Sequence, residues 1–374
     1  MVKPRQYNCT EDFHHYLYIV LVLFSILNFS FRLAYLNFHA MIKTIIIVFT
    51  AFLCLPINAK KVNIKLATLA AHGSPWDLRL REMGQNWRDK SAGQVKLTVY
   101  PGGVAGDESA VIRKMRIGQL NAATLSTGGL AYIVPEFTAI SHIPMLYNSD
   151  EEKDYVREKM TPDLIEKLEK KGYVFLHWGE VGWVRYFAKS PIRIPNDLKK
   201  HKLFVWADEG SDMTMHENLG FSPVPLAATD LLVALQTGMV TAFNTTPLLA
   251  LGGQWFAGAK HMANMRWAPL MGGTIMQKKL WDQIAPEIQT LIINASKKAE
   301  IELTNEIREL DNKAIEVMEE YGLISHEVSE DELKEWRELV KTVYPYIRGD
   351  MVPEKAFDKA IKLRDEFRSK KTVD

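Results

Sequence analysis

The sequence predicts an α/β protein organised as two domains, and three observations lead there. Its 374 residues exceed one ordinary domain. Hydrophobic residues make up 47% and charged residues 24%, the composition of a soluble globular protein. Runs with a period of two alternate along the chain with stretches whose apolar residues recur every three or four positions.

Val62, Ile64 and Leu66 alternate with Asn63, Lys65 and Ala67, the period of a strand. Ser74-Pro75 opens a helix with Trp76, Leu80, Met83 and Trp87 on one face. Val95, Leu97 and Val99 read as a second strand, broken by Pro101-Gly102-Gly103. Asp107 caps a helix carrying Val111, Ile112 and Met115; Gly118 closes it, and Ala122 to Leu125 is a short buried strand. A charged helix around Glu151 to Lys171 precedes the apolar run Tyr173 to Trp178, and Leu203 to Trp206 is another strand. Thr229 caps a helix over Asp230 to Thr237, Gly238 ends it, and Met239 to Phe243 returns as a strand. This alternation implies parallel strands layered with helices.

The last third changes character. From Pro286 to Tyr321 the chain is nearly free of Gly and Pro, with Leu303, Ile307, Leu310, Ala314, Val317 and Tyr321 on one face. One long amphipathic helix, or two in tandem, is expected, its stripe serving as core. Charged helices near Asp331 to Tyr344 and Pro353 to Ser369 complete the chain.

Several function classes are excluded early. Lys plus Arg number 46 against 45 Asp plus Glu, so the basic surplus of a nucleic-acid binder is missing. The two cysteines, Cys9 and Cys54, precede the folded body, which removes disulfide scaffolds, cysteine zinc sites and thiol catalysis. No His-Glu-x-x-His, Gly-x-Ser-x-Gly, Walker loop or G-x-G-x-x-G spacing occurs, and no histidine pair has metal spacing on one helix face. No cofactor, metal or catalytic residue is therefore assigned.

The N-terminus reads as an address. Met41-Ile42-Lys43, an apolar stretch to Leu55 and the small residue Ala59 have the form of a secretory signal peptide. Cleavage there leaves 315 residues, from Lys60 to Asp374; residues 1–59 hold four basic and two acidic residues, so the mature charge is −1. Translation is expected to start at Met41. The apolar runs, Tyr16 to Leu27 and Thr44 to Leu55, are short for a membrane helix of ~20 residues. Export to a bacterial periplasm is expected.

At this point the residues resemble a family. Tyr100-Pro101-Gly102-Gly103-Val104-Ala105-Gly106-Asp107-Glu108 looks like the turn of DctP-type solute-binding proteins of TRAP transporters. The likeness continues through Lys189 to Arg193, Asn196 to Lys199 and Leu235 to Val240, and covers essentially the whole mature chain. It implies a class II periplasmic-binding-protein fold: two α/β lobes around a cleft, crossing strands, a long interlobe helix and C-terminal helices. Lobe I is expected at 60–181 plus 271–310, and lobe II at 182–270 plus 311–374. The implied function is capture of a small organic solute, an organic acid, by hinge closure, without chemistry, and delivery to a sodium-driven TRAP permease. A monomer or homodimer is expected.

The departures from the family concern specificity. Many members carry an Arg in the strand after "DLKG" that forks onto a substrate carboxylate. Phe204 stands in that place, and "DGQENP" is replaced by Thr241 to Pro247. Alignment on Phe187 to Pro191 puts Val184 where a second family Arg lies, with Arg185 beside it; Arg185 then contacts an anion or takes Glu180 as its mate. The residues expected around the ligand are Trp76, Glu108, Thr127, Trp183, Arg185, Phe204, Trp206, Asn244, Thr245, Thr246 and Trp255. Two alternatives stand beside transport: a periplasmic enzyme on the same fold, for which Glu180, Asp208 and Glu209 are the placed carboxylates, and a ligand-reporting partner of a membrane kinase.

Overall fold

A computed structural model describes residues 61–206 and 210–371, so the leader, both cysteines, Asp208 and Glu209 lie outside the described residues. Ten strands form one sheet: β1 (Val62–Thr68), β2 (Val95–Tyr100), β3 (Ala122–Ser126), β4 (Tyr173–Ala188), β5 (Lys202–Trp206), β6 (Ser222–Leu226), β7 (Ala242–Thr245), β8 (His261–Asn264), β9 (Ala268–Gln277) and β10 (Ile324–Glu327). Their order is β2-β1-β3-β9-β4-β7-β5-β6, with β8 against β4 and β10 against β8.

The sheet is mixed, which corrects the expectation of parallel strands. β1 is parallel to β2 and β3, and β5 to β6 and β7, whereas β4 and β9 run antiparallel to each other and to their flanking strands. The parallel rule holds where a helix returns the chain to the same edge. β4 instead carries the chain from one half of the sheet to the other and β9 brings it back. β4 pairs with β9 as far as Val184, then with β7 from Arg185. The apolar run that begins at Tyr173 thus continues for 16 residues, buried at nearly every position.

The helices are α1 (Pro75–Lys90), α2 (Glu108–Arg116), α3 (Thr127–Ala131), α4 (Asp150–Lys170), α5 (Gly210–Asn218), α6 (Leu231–Thr237), α7 (Pro247–Gly252), α8 (Pro286–Glu320), α9 (Glu330–Lys341) and α10 (Glu354–Lys371), beside shorter turns. Ser74 and Asp107 cap α1 and α2 through their side-chain oxygens, as the sequence implies. Asp230, not Thr229, is the N-cap of α6, and Gly238 ends it at φ 74°. The following strand starts only at Ala242, because the Thr241 N–H donates to the Lys202 carbonyl and sets the entry to β7. β6 carries Pro223 and Pro225, which its place at the sheet edge tolerates.

α8 is a single helix of 35 residues, about 52 Å long at 1.5 Å per residue. Its buried stripe runs Leu303, Ile307, Asp311, Ala314 and Met318. Tyr321 is exposed, and a carboxylate, Asp311, lies inside the stripe. The α8 N-terminal half packs with α1, β1 and β2 around Ile64, Leu66 and Trp87. A second cluster, around Phe204, Leu235 and Phe243, lies under β5 and β7.

Candidate ligand cavity

A cavity of about 140 Å³ opens where β3, β5 and β7 end and β9 begins. Ser126, Thr127 and Gly128 supply one wall, with Ser141, His142 and Pro144 beside them. Val184 comes from the crossing strand β4, Trp206, Asn244 and Thr245 from β5 and β7, and Asp212 and Met215 from α5, while Trp267 to Leu270 and Met351 close the ring.

The first wall is held from behind by Glu108. Its carboxylate accepts the Ser126 N–H at 2.5 Å and the Ser126 hydroxyl at 2.6 Å, while Ser126 Oγ accepts the Gly129 N–H and caps α3. Burial pushes the Glu108 carboxyl above its ordinary range, although the Ser126 donors pull the other way. The Thr127 hydroxyl donates to Ser141 Oγ at 3.1 Å. His142 Nδ1 is buried without a hydrogen-bond partner among the described residues, and burial lowers the basicity of that ring.

On the other side, Trp206 stays 39% exposed and meets the Phe204 ring edge-on at 5.6 Å. Burial pushes the Asp212 carboxyl up, but the neighbouring His216 and His142 rings more than offset that and hold it below its ordinary value. Trp267 packs on Tyr186 at 5.1 Å and on the His216 ring at 6.2 Å.

Four of the expected ligand residues line this space: Thr127, Trp206, Asn244 and Thr245. The others are placed elsewhere, for identifiable reasons. Phe204 is 1% exposed in the apolar cluster under β5, two residues back along the strand from Trp206, whose ring at the strand end covers it edge-on. Trp255 packs on that cluster through Phe243. Thr246 precedes α7 with its hydroxyl buried and without a partner among the described residues. Glu108 acts through Ser126. Trp76 and Trp183 are tied to a buried ionic knot: Trp76 Nε1–H donates to the Glu180 carbonyl at 2.8 Å and Trp183 Nε1–H to Asp150 at 3.0 Å.

That knot corrects the pairing considered for Arg185. Glu180, 1% exposed, is bound by Lys153 at 2.7 Å and Arg308 at 2.9 Å. Val184 faces the cavity, and Arg185, next along the strand, is buried on the other side toward Asp311 with its Nε unpartnered among the described residues. Burial pulls the Arg185 guanidinium below its ordinary value, and the Asp311 carboxylate offsets this only in part. Asp311 accepts the Leu248 N–H at 3.1 Å, yet burial dominates and pushes its carboxyl up to about 6.

A pH dependence follows. With the unfolded value at 3.8 and the folded value near 6, this group's share of stability is full below pH ~4 and lost as pH rises through 6, a change of about 3 kcal/mol. Denaturant melts of wild type and Asp311→Asn from pH 4.5 to 7.5 should show wild type gaining on the variant as pH falls. A constant difference would remove the burial argument.

Sequence reasoning missed His142, Asp212 and Trp267. Asp212 sits in a polar Gly-Ser-Asp stretch that reads as a loop, and Trp267 in a segment without clear periodicity; only the tertiary path brings them to one space.

Comparison with known proteins places the chain. The family profile described as bacterial extracellular solute-binding protein, family 7 (DctP), matches residues 66–349. The C4-dicarboxylate-binding periplasmic protein of Rhodobacter capsulatus is 22% identical over 78% of this chain and 88% of its own length. A TRAP periplasmic solute-binding protein from Ochrobactrum anthropi superposes with a TM-score of 0.74 at 22% identity, over 84% of this chain and 98% of the other. One from Xanthobacter autotrophicus Py2, solved with bound β-D-galacturonate, gives a TM-score of 0.71 at 18% identity, over 81% of this chain and 99% of the other. The mixed sheet with its flanking helices matches that fold.

Proposed function

Because the chain belongs to the family 7 bacterial extracellular solute-binding proteins, we propose that it captures one small organic acid in this cavity and hands it, unaltered, to a sodium-driven TRAP permease. The observation that carries this reading is the origin of the walls. Thr127 comes from the β3 side of the sheet and Trp206, Asn244 and Thr245 from the β5 and β7 side, so one bound molecule bridges both halves. A ligand touching both stabilises their closure about the shared strand β4 and helix α8. We take the two lobes as 60–181 plus 271–310 and 182–270 plus 311–374, with residues 1–59 removed on export to the periplasm. The small volume and its Trp walls suit burial of an apolar part, with hydroxyls and the Asn244 amide setting orientation.

A thermal-shift screen of organic acids tests this, since a ligand that binds only the native state must raise the melting temperature. Trp206→Ala is expected to abolish the shift of the best hit while the unliganded melt stays within ~1 °C, because a half-exposed ring contributes little to the core. An undiminished shift would take Trp206 out of the site. Recovery of the solute unchanged after incubation, by mass spectrometry, separates binding from turnover.

A further inference from the structure

The Asp212 carboxylate is the one ionised group lining the cavity among the described residues, and no Lys or Arg lines it. The guanidiniums on or against β4 are engaged elsewhere. Arg185 faces Asp311, Arg266 donates to the Asn148 carbonyl at 3.1 Å, and Arg308 holds Glu180 and Asp154. A guanidinium fork for a solute carboxylate is thus not at hand.

Asp212 keeps its charge. Its Oδ2 lies 3.4 Å from His216 Nδ1, while that nitrogen makes its 2.9 Å bond to the Asp212 main-chain carbonyl. His216 Nε2 meets the Tyr186 hydroxyl at 3.2 Å, which fixes the ring on its far side. The His216 imidazole, 3.4 Å away, is thus the ionisable partner closest to the carboxylate; no Lys or Arg stands beside it in the cavity wall, which it shares with Trp206 and Trp267. Aromatic faces and a carboxylate together are the chemistry that recognises a positively charged nitrogen. Anion-binding capacity comes from neutral donors: Thr127 donates to Ser141, which leaves the Ser141 proton free for a ligand oxygen.

We infer that the solute is a small zwitterion, an organic acid whose positively charged nitrogen is held by Asp212 against the Trp206 and Trp267 rings. The inference rests on the solute-binding reading above and names its substrate class. The volume of about 140 Å³, near that of a cavity that holds benzene, fits about six to eight non-hydrogen atoms.

Isothermal titration of the purified protein with 4-aminobutyrate and glycine betaine, against succinate and D-glucuronate, tests it. The zwitterions are expected to bind at least tenfold more tightly than succinate, which matches them in size but lacks the nitrogen. Asp212→Asn should weaken the zwitterions at least tenfold and leave or improve succinate. The preference measured on wild type stands whether or not the variant folds. Binding of succinate or glucuronate in preference to both zwitterions, or an Asp212→Asn protein that keeps zwitterion affinity, overturns the charge assignment and leaves solute capture intact. If all four fail to bind, the charge assignment falls, and a blank result in the wider acid screen removes capture as well.

Discussion

Lys153→Met is expected to destabilise the protein by about 3 kcal/mol. Lys153 is fully buried, with its ammonium 2.9 Å from Asp150, 2.7 Å from Glu180 and 5.4 Å from the centre of the Trp183 ring. Removing it leaves the buried Glu180 and the partly buried Asp150 with one cation fewer, and uncompensated buried charge is the costly state. Arg308 remains on Glu180 and within 3.7 Å of Asp150, which holds the cost to the lower end of the usual range for a broken buried pair. Chemical denaturation at pH 7 should show the midpoint falling with an unchanged slope. An unmoved midpoint would mean the knot of Lys153, Glu180 and Arg308 contributes nothing net. The knot joins α4, β4 and α8, so its loss is also expected to loosen the strand that both halves of the sheet share.

Gly272→Ala is the second large effect, and it acts on binding as well as stability. A Cβ at Gly272 would lie 2.2 Å from the Leu125 carbonyl oxygen and 3.3 Å from Ser126 Cα. Both are backbone atoms of β3, paired with β9 through this residue, so nothing flexible can yield. The ladder must part, at a cost of about 3 kcal/mol, the upper end for overpacking. Ser126 and Thr127 shift with it, and the ligand-induced melting shift should vanish. Gly179→Ala is the control: the nearest atom to its Cβ is 3.9 Å away, ordinary contact, so that variant should melt within ~1 kcal/mol of wild type and bind normally. Equal behaviour of the two variants would refute the close-approach account.

Much of the fold was legible because its signals are local. The Ser74 and Asp107 caps, the Gly238 stop and the alternation of Val62, Ile64 and Leu66 are each decided within a few residues. The direction of β4 and β9 was not, since whether a strand returns to its own half depends on contacts a hundred residues distant. The family likeness pointed to Thr127 and, through the strand after Asn196 to Lys199, to Trp206, both in the cavity wall. It could not tell Val184 from Arg185, because which of two adjacent residues faces a cavity is set by register against β9 and β7.

The amino-acid order by itself determined the α/β class, the helical character of Pro286 to Glu320 and membership of a solute-binding family, all properties that repeat along the chain or reside in short motifs. Tertiary structure alone decided that Glu180 belongs to Lys153 and Arg308, that Phe204 is core, and that Asp212, His142 and Trp267 share one space. The physical reason is distance. A charge or a ring acquires its role from what is packed within a few ångströms of it, and those neighbours come from segments whose separation along the chain carries no trace of the meeting.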